Sequence, residues 1–226
     1  MLLRKKWAER FVETCAKLRS AHRRTLPTGQ MIYSAIPEGR CWIVISGYVK
    51  VFDPQPDGDD RVTRLIMGRG SLFGDRPFAT EAFRGFISPQ DEQVIAHSAV
   101  EILELDRAEL ESASRADLEI ASLLLESATA RAQFLERRLH WQFITPVRAR
   151  VAATLRDLIC FEGQRCTHGH TIDIRLTHQD LAELVGAARP VINAELTRMR
   201  SEGLIDYNRS FFCVADLAGL NEVAIA

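Results

Sequence analysis

The sequence contains no long apolar run. Its longest, such as Cys41-Trp42-Ile43-Val44-Ile45, falls far short of the roughly 18 residues that cross a bilayer. The basic start Leu2-Leu3-Arg4-Lys5-Lys6 is not followed by the apolar stretch of a secretory signal, so a cytoplasmic protein without a membrane partner is expected. Cysteine is sparse: Cys15, Cys41, Cys160, Cys166 and Cys213 are odd in number and scattered, which excludes a disulfide framework. An iron–sulfur sensor would need about four clustered thiolates, and the N-terminal region offers only Cys15 and Cys41. Free, mostly buried thiols are the expectation. A charge bias is also missing, with 29 Lys plus Arg against 30 Asp plus Glu. Even residues 145–226 hold nine Arg against ten acidic residues, so any nucleic-acid footprint must be a local face rather than a basic block. What remains is an ordinary composition, 46% hydrophobic and 26% charged, in a chain of 226 residues long enough for two domains with separate cores.

From about residue 28 to 105, short alternating apolar runs are broken by Gly, Pro and Asp. The runs are Met31-Ile32-Tyr33, Cys41 to Ser46, Tyr48 to Phe52, Val62 to Ile66, Val94-Ile95-Ala96 and Val100 to Leu105. Several short strands with turn signals between them predict an antiparallel β-roll of jelly-roll, cupin-like type. Before it, Met1 to Arg24 carries eight Lys plus Arg against two Glu, with Trp7, Phe11, Cys15 and Leu18 at helical spacing. An amphipathic helix packed on the roll is the simplest reading.

Residues 107–143 change period. Leu118, Leu125, Ala132 and Leu139 repeat every seven, with Ala121, Ala128, Leu135 and Gln142 interleaved. Apolar a and d positions sustained over more than three heptads predict one long helix zipped to a second copy, and small alanines at the seam favour close approach. Leu118, Leu125, Ala128, Ala132, Leu135 and Leu139 are the expected homodimer contacts. A helix packed on its own β-domain is the competing reading. Thr145-Pro146 then ends the helix. The expected domains are 1–106, 107–144 and 145–226, giving an α+β chain overall.

Beyond the proline, a helix at about 147–161, a strand at 171–175, two helices and a hairpin are expected. Thr177 is suited to N-cap the first short helix with Asp180 three residues on, and Gly186 to end it with positive φ. The second helix buries Ile192, Leu196 and Met199, which turns Arg189, Pro190, Asn193, Thr197 and Arg200 outward. An arginine at a helix N-terminus can donate twice to guanine in a major groove, and asparagine can pair with adenine. Strand, helix, helix, hairpin is the plan of a winged helix-turn-helix.

These features together resemble the CRP/FNR family of bacterial transcription regulators, over nearly the whole chain from about Arg24 to Leu217. The resemblance rests on Ile43 to Val51, Gly70-Ser71-Leu72-Phe73-Gly74-Asp75, Ala99 to Asp106, the long helix, and Leu176 through Arg189. It implies a homodimer on a palindromic operator, with Arg189 reading bases, Thr177, His178 and Gln179 touching phosphates, and RNA polymerase as a partner if the protein activates. The family's common glutamate after the arginine is Pro190 here, and a frequent second basic residue is Ala194, so Asn193 is expected to share the readout.

In cyclic-nucleotide members of the family, Gly-Glu holds the ribose and a downstream Arg-Ser or Arg-Thr the phosphate. Here Gly74-Asp75 and Arg84-Gly85 stand nearest to that pattern, and an alternative alignment puts Gln90-Asp91-Glu92 at the phosphate position. Two acids there would repel a phosphodiester, with Arg84 the only cation to offset them, so cAMP dependence is not expected. Gly74, Asp75 and Arg84 remain the candidate effector residues. No cofactor is expected and the effector is unidentified. Cys160 and Cys166 with His168 and His170 read as a helix face and a polar loop rather than a metal site. A cupin-type enzyme would need a His-x-His pair on a barrel strand, and the roll has only His97, so an enzyme is not expected. The remaining alternative is a cyclic-nucleotide-binding signalling module whose C-terminal helices serve only as a partner interface.

Overall fold

A computed structural model describes residues 5–54, 61–78, 92–172, 174–208 and 211–225. The chain divides into two compact units, residues 1–133 and 134–226, with the division falling inside the longest helix.

The first unit opens with α1 (Lys5–Cys15), whose Phe11, Val12 and Cys15 are buried. Among the described residues eight strands follow: β1 (His22–Leu26), β2 (Met31–Tyr33), β3 (Arg40–Ser46), β4 (Val49–Pro54), β5 (Arg61–Met67), β6 (Leu72–Gly74), β7 (Gln93–Ala96) and β8 (Val100–Asp106). They form two antiparallel four-stranded sheets, ordered β1-β8-β3-β6 and β2-β7-β4-β5. The alternating runs at Met31–Tyr33, Val94–Ala96 and Val100–Leu105 are all strands. β1 and β6 were not legible in the sequence. β1 buries only Leu26, and its Arg23 and Arg24 reach across to Glu101 and Glu104 of β8, so it pairs through charges rather than apolar alternation.

α2 (Arg107–Ala116) is capped by Asp106, whose side chain accepts from the Glu109 amide at 2.9 Å. The single helix expected over 107–143 is interrupted at Asp117, which adopts an extended backbone (φ −124°, ψ 111°). The reason is local: the Asp117 carboxylate accepts from the Glu119 amide at 2.8 Å, so Asp117 leaves one helix and caps the next. α3 (Leu118–Ile144) then runs for 27 residues. Its Ile120, Leu123 and Leu124 join Phe11, Cys15, Ile43, Leu103, Leu105 and Leu110 in one buried cluster, which fixes α1, α2 and the start of α3 on one sheet.

The second unit holds the end of α3, then α4 (Val147–Glu162), β9 (Gly163–Cys166), β10 (Gly169–Ile172), α5 (His178–Val185), α6 (Arg189–Ser201), β11 (Ile205–Asn208), β12 (Phe211–Val214) and α7 (Leu217–Ile225). The four strands form one antiparallel sheet in the order β11-β12-β10-β9. The strand expected at 171–175 lies at Gly169–Ile172, and the polar stretch read as a loop before it is mostly a hairpin, with Cys166 opposite Gly169. Leu181, Leu184 and Val185 of α5 and Ile192, Leu196 and Met199 of α6 are buried, as their spacing requires.

Candidate nucleic-acid interface and effector cavity

Thr177 begins α5 with a complete capping box: its hydroxyl accepts from the Asp180 amide at 3.0 Å, and the Asp180 carboxylate accepts from the Thr177 amide at 2.8 Å. The same carboxylate also accepts a hydrogen bond from the Thr177 hydroxyl at 2.7 Å, so this side chain is held within its own helix start. Gly186 ends α5 at φ 71°, and its amide closes back on the Ala182 carbonyl at 2.9 Å. A Cβ at Gly186 would stand 2.7 Å from Gln142 Nε2, besides adopting a backbone conformation that L-residues disfavour. The turn delivers α6 with Ala188 as an N-cap that has no side-chain bond, and with Pro190 in the first turn.

That leaves the start of α6 open. Arg189, Pro190 and Val191 are exposed at its tip, and Arg189 has no hydrogen-bond or ion-pair partner among the described residues. Arg189 therefore stands in the first turn of a helix that has no side-chain N-cap, where Pro190 lacks an N–H and the Val191 amide is bonded to the Ala188 carbonyl, and its exposed guanidinium is suited to anionic or base-edge acceptors. Gln179, also exposed, donates to Glu183 at 2.9 Å.

His178, Asn193 and Arg200 are instead bonded to neighbouring side chains. His178 donates through Nδ1 to the side-chain amide oxygen Oδ1 of Asn193 at 2.6 Å, so the pair expected to read phosphate and base separately is joined across the two helices. His178 lies edge-on to Tyr207 (5.3 Å between ring centres) and near Phe212 (6.3 Å), which ties the pair to the wing. Arg200 pairs with Asp206 at 2.8 Å and lies 5.1 Å over the Tyr207 ring. Arg200 is exposed, as its helical position predicts, and the wing strand supplies both an anion and an aromatic face for it. Sequence reading missed Val191, which is exposed though apolar, and the aromatic pair Tyr207 and Phe212. Of the turn expected at Asn208-Arg209-Ser210, residues 209–210 lie outside the described residues and Asn208 ends β11.

In the first unit a cavity of about 530 Å³ opens between the roll and α3, lined in part by Leu72, Arg76, Phe78, Leu124, Ser127 and Arg131. Gly74 and Asp75 are not among its described lining. Gly74 stands at φ 88°, where a Cβ would lie 2.7 Å from the Trp42 ring and 2.8 Å from the Arg40 carbonyl oxygen. Asp75 accepts from the Gly39 amide at 2.9 Å and pairs with Arg107 at 3.3 Å. Asp75 braces the sheet to α2, and Gly74 packs against β3. Arg84, Gln90 and Asp91 lie outside the described residues.

Glu92 is buried, accepts from the Tyr33 hydroxyl at 2.6 Å, and is paired with Arg64. Its charge is thus already met, and Arg84 is not the only cation in the region, because Arg76 and Arg131 face the cavity. Burial, reinforced by the nearby Arg76, pushes the Arg131 guanidinium down to about 9, which leaves it charged at neutral pH. Of the two acids expected at the phosphate position, Glu92 is thus neutralised, with Arg76 and Arg131 on the cavity wall, while Asp91 lies outside the described residues.

The dimer candidates show as a stripe along α3. Leu118 and Leu125 are 85% and 68% exposed, Leu139 is 56% exposed, and Ala128, Ala132 and Leu135 are also open to solvent, while Ile120, Leu123 and Leu124 face the core. Burying such leucines against a partner is favourable by ~1.5–3 kcal/mol each when complete.

Comparison with known proteins matches residues 23–117 to a cyclic nucleotide-binding domain and residues 149–223 to a Crp-like helix-turn-helix domain. A CRP-like cAMP-activated global transcriptional regulator of Mycobacterium tuberculosis (strain H37Rv) is 27% identical over 191 residues, covering 84% of this chain and 82% of its own. The global nitrogen regulator of Nostoc is 25% identical over 173 residues, covering 76% and 75%. Among solved structures, FixK2 from Bradyrhizobium japonicum superposes with a TM-score of 0.73 at 16% identity, covering 91% of this chain and 98% of that one.

Proposed function

The chain belongs to the CRP/FNR family of transcription regulators, with a helix-turn-helix DNA-binding domain, and from that premise we propose that it binds a palindromic operator as a homodimer and without cAMP. The observation that carries the reading is the tip of α6, where the exposed Arg189 has no side-chain partner among the described residues and the helix has no side-chain N-cap. Arg189 reads a base, Pro190 fixes the first turn, and Gln179 with the α5 start lies toward the phosphates. Asn193 and His178 act as one bonded unit that orients the helix pair, and Arg200 steadies the wing. The exposed apolar stripe of α3 supports pairing of two copies, whose recognition helices then meet half-sites about one helical turn apart. As an activator it would have RNA polymerase as its further partner, in the cytoplasm.

Independence from cAMP is supported by Asp75, whose carboxylate is committed to Gly39 and Arg107 rather than turned to a ribose. A second reading is favoured by one observation: Arg76 and Arg131 on the cavity wall suit a small anion, a cyclic nucleotide included. The experiment is selection of bound duplexes from random and genomic DNA by the purified chain, with and without cyclic nucleotides, at fixed salt. Enrichment of an inverted repeat in the absence of nucleotide is the expected result. Enrichment only with nucleotide would replace the first reading by the second, and no sequence preference under either condition would sink both.

A further inference from the structure

Two thiols of the DNA-reading unit meet on its sheet. Cys166 is the last residue of the edge strand β9, and Cys213 lies in β12, on the other side of β10. Cys166 is opposite Gly169 and Cys213 opposite Thr171, so all four residues project from the same face of the sheet. The two Sγ atoms stand 3.4 Å apart. Cys15 and Cys41, by contrast, are sealed in the core of the other unit.

We propose that Cys166 and Cys213 form a redox-active dithiol that reduces a hydroperoxide and closes to an intramolecular disulfide. Cys166 is exposed and is the attacking sulfur. Hydrogen bonds from the His168 amide and from Cys213 hold its pKa below the ordinary thiol value, whereas burial pushes Cys213 up to about 11. One sulfur is therefore the better thiolate and the other the resolving thiol. In the first step the Cys166 thiolate attacks the terminal peroxide oxygen: an S–O bond forms, the O–O bond breaks, and the alkoxide leaves as an alcohol with the proton given up by Cys166. Cys166 is now a sulfenic acid. In the second step the Cys213 sulfur attacks the Cys166 sulfur, the S–O bond breaks, and hydroxide leaves with the Cys213 proton as water. Two thiols and one hydroperoxide give one disulfide, one alcohol and one water.

The bond would also do mechanical work on the sheet. Strands flanking a common neighbour stand about two spacings apart, ~9.5 Å. A relaxed disulfide allows Cα separations only up to about 7 Å. Closure thus draws the free end of β9 toward β12, and the terminal position of Cys166 beside a turn lets it move.

The test uses the reduced full-length chain exposed to stoichiometric hydrogen peroxide, read by intact mass and peptide mapping, with no DNA present. Its failure therefore leaves the DNA-binding reading standing. The expected product has lost two hydrogens and yields one linked peptide pair, Cys166 to Cys213, which dithiothreitol reverses. Cys213→Ser should stop at a Cys166 sulfenic acid captured by dimedone, and Cys166→Ser should form neither product. A link through any other cysteine, a wild-type product that stays at the sulfenic acid, or equal oxidation of Cys166→Ser would overturn the proposal.

Discussion

Arg189 and Arg200 look equivalent when the sequence is wound on a helical wheel, and the structure separates them by their neighbours. Arg200 has Asp206 and Tyr207, while Arg189 has solvent and the open end of a helix. Arg189→Ala should therefore weaken specific operator binding by about 1 to 3 kcal/mol and relax discrimination at one base step, measured against random duplex at constant salt. Arg200→Ala should change specificity little. Glu104 gives a different kind of residue-level prediction. Desolvation raises its pKa, but hydrogen bonds from Arg24 and Trp42 and the charges of Arg24 and Arg40 together outweigh that and hold it below the ordinary carboxylate value. A depressed carboxylate stabilises the fold above its unfolded pKa and loses that contribution as pH falls through its folded value. Glu104→Gln should thus be less stable than wild type at neutral pH in urea denaturation, and the gap should close as the acid range is entered.

At the scale of elements, spacing predicted well wherever burial alone decided the structure. The faces of α5 and α6 and the strands of the roll with apolar alternation were visible for that reason. Elements fixed by side-chain bonding were hidden. Asp117 breaks a run of helix-compatible residues because its carboxylate caps the next helix, and β1 pairs through arginine and glutamate. Cross-helix bonds such as His178 to Asn193 have no linear signature, since their partners are brought together only by the turn at Gly186. That turn is itself testable. Gly186→Ala keeps the left-handed backbone at a cost of roughly 1–2 kcal/mol, and its added carbon presses on the flexible end of Gln142. Thermal unfolding should detect the loss, and operator binding should fall with it as the angle between α5 and α6 relaxes.

For the whole molecule, the two-part organisation and the exposed seam follow from composition and heptad spacing, whereas the cavity does not. Its walls come from segments far apart in the chain, and Arg131 lies in what reads as an ordinary helical repeat. Replacing Leu125 and Leu139 together by glutamate should leave each unit folded, because neither side chain is in a core, and should yield a monomer by sedimentation velocity. The monomer should lose operator affinity out of proportion to any change in thermal stability. Leu125 and Ala128 belong both to the solvent-facing stripe and to the lining of the cavity. For a dimer joined along that stripe, one helical turn reports to two equilibria at once. By thermodynamic reciprocity, whatever fills the hollow shifts subunit association by the same factor that association shifts its retention.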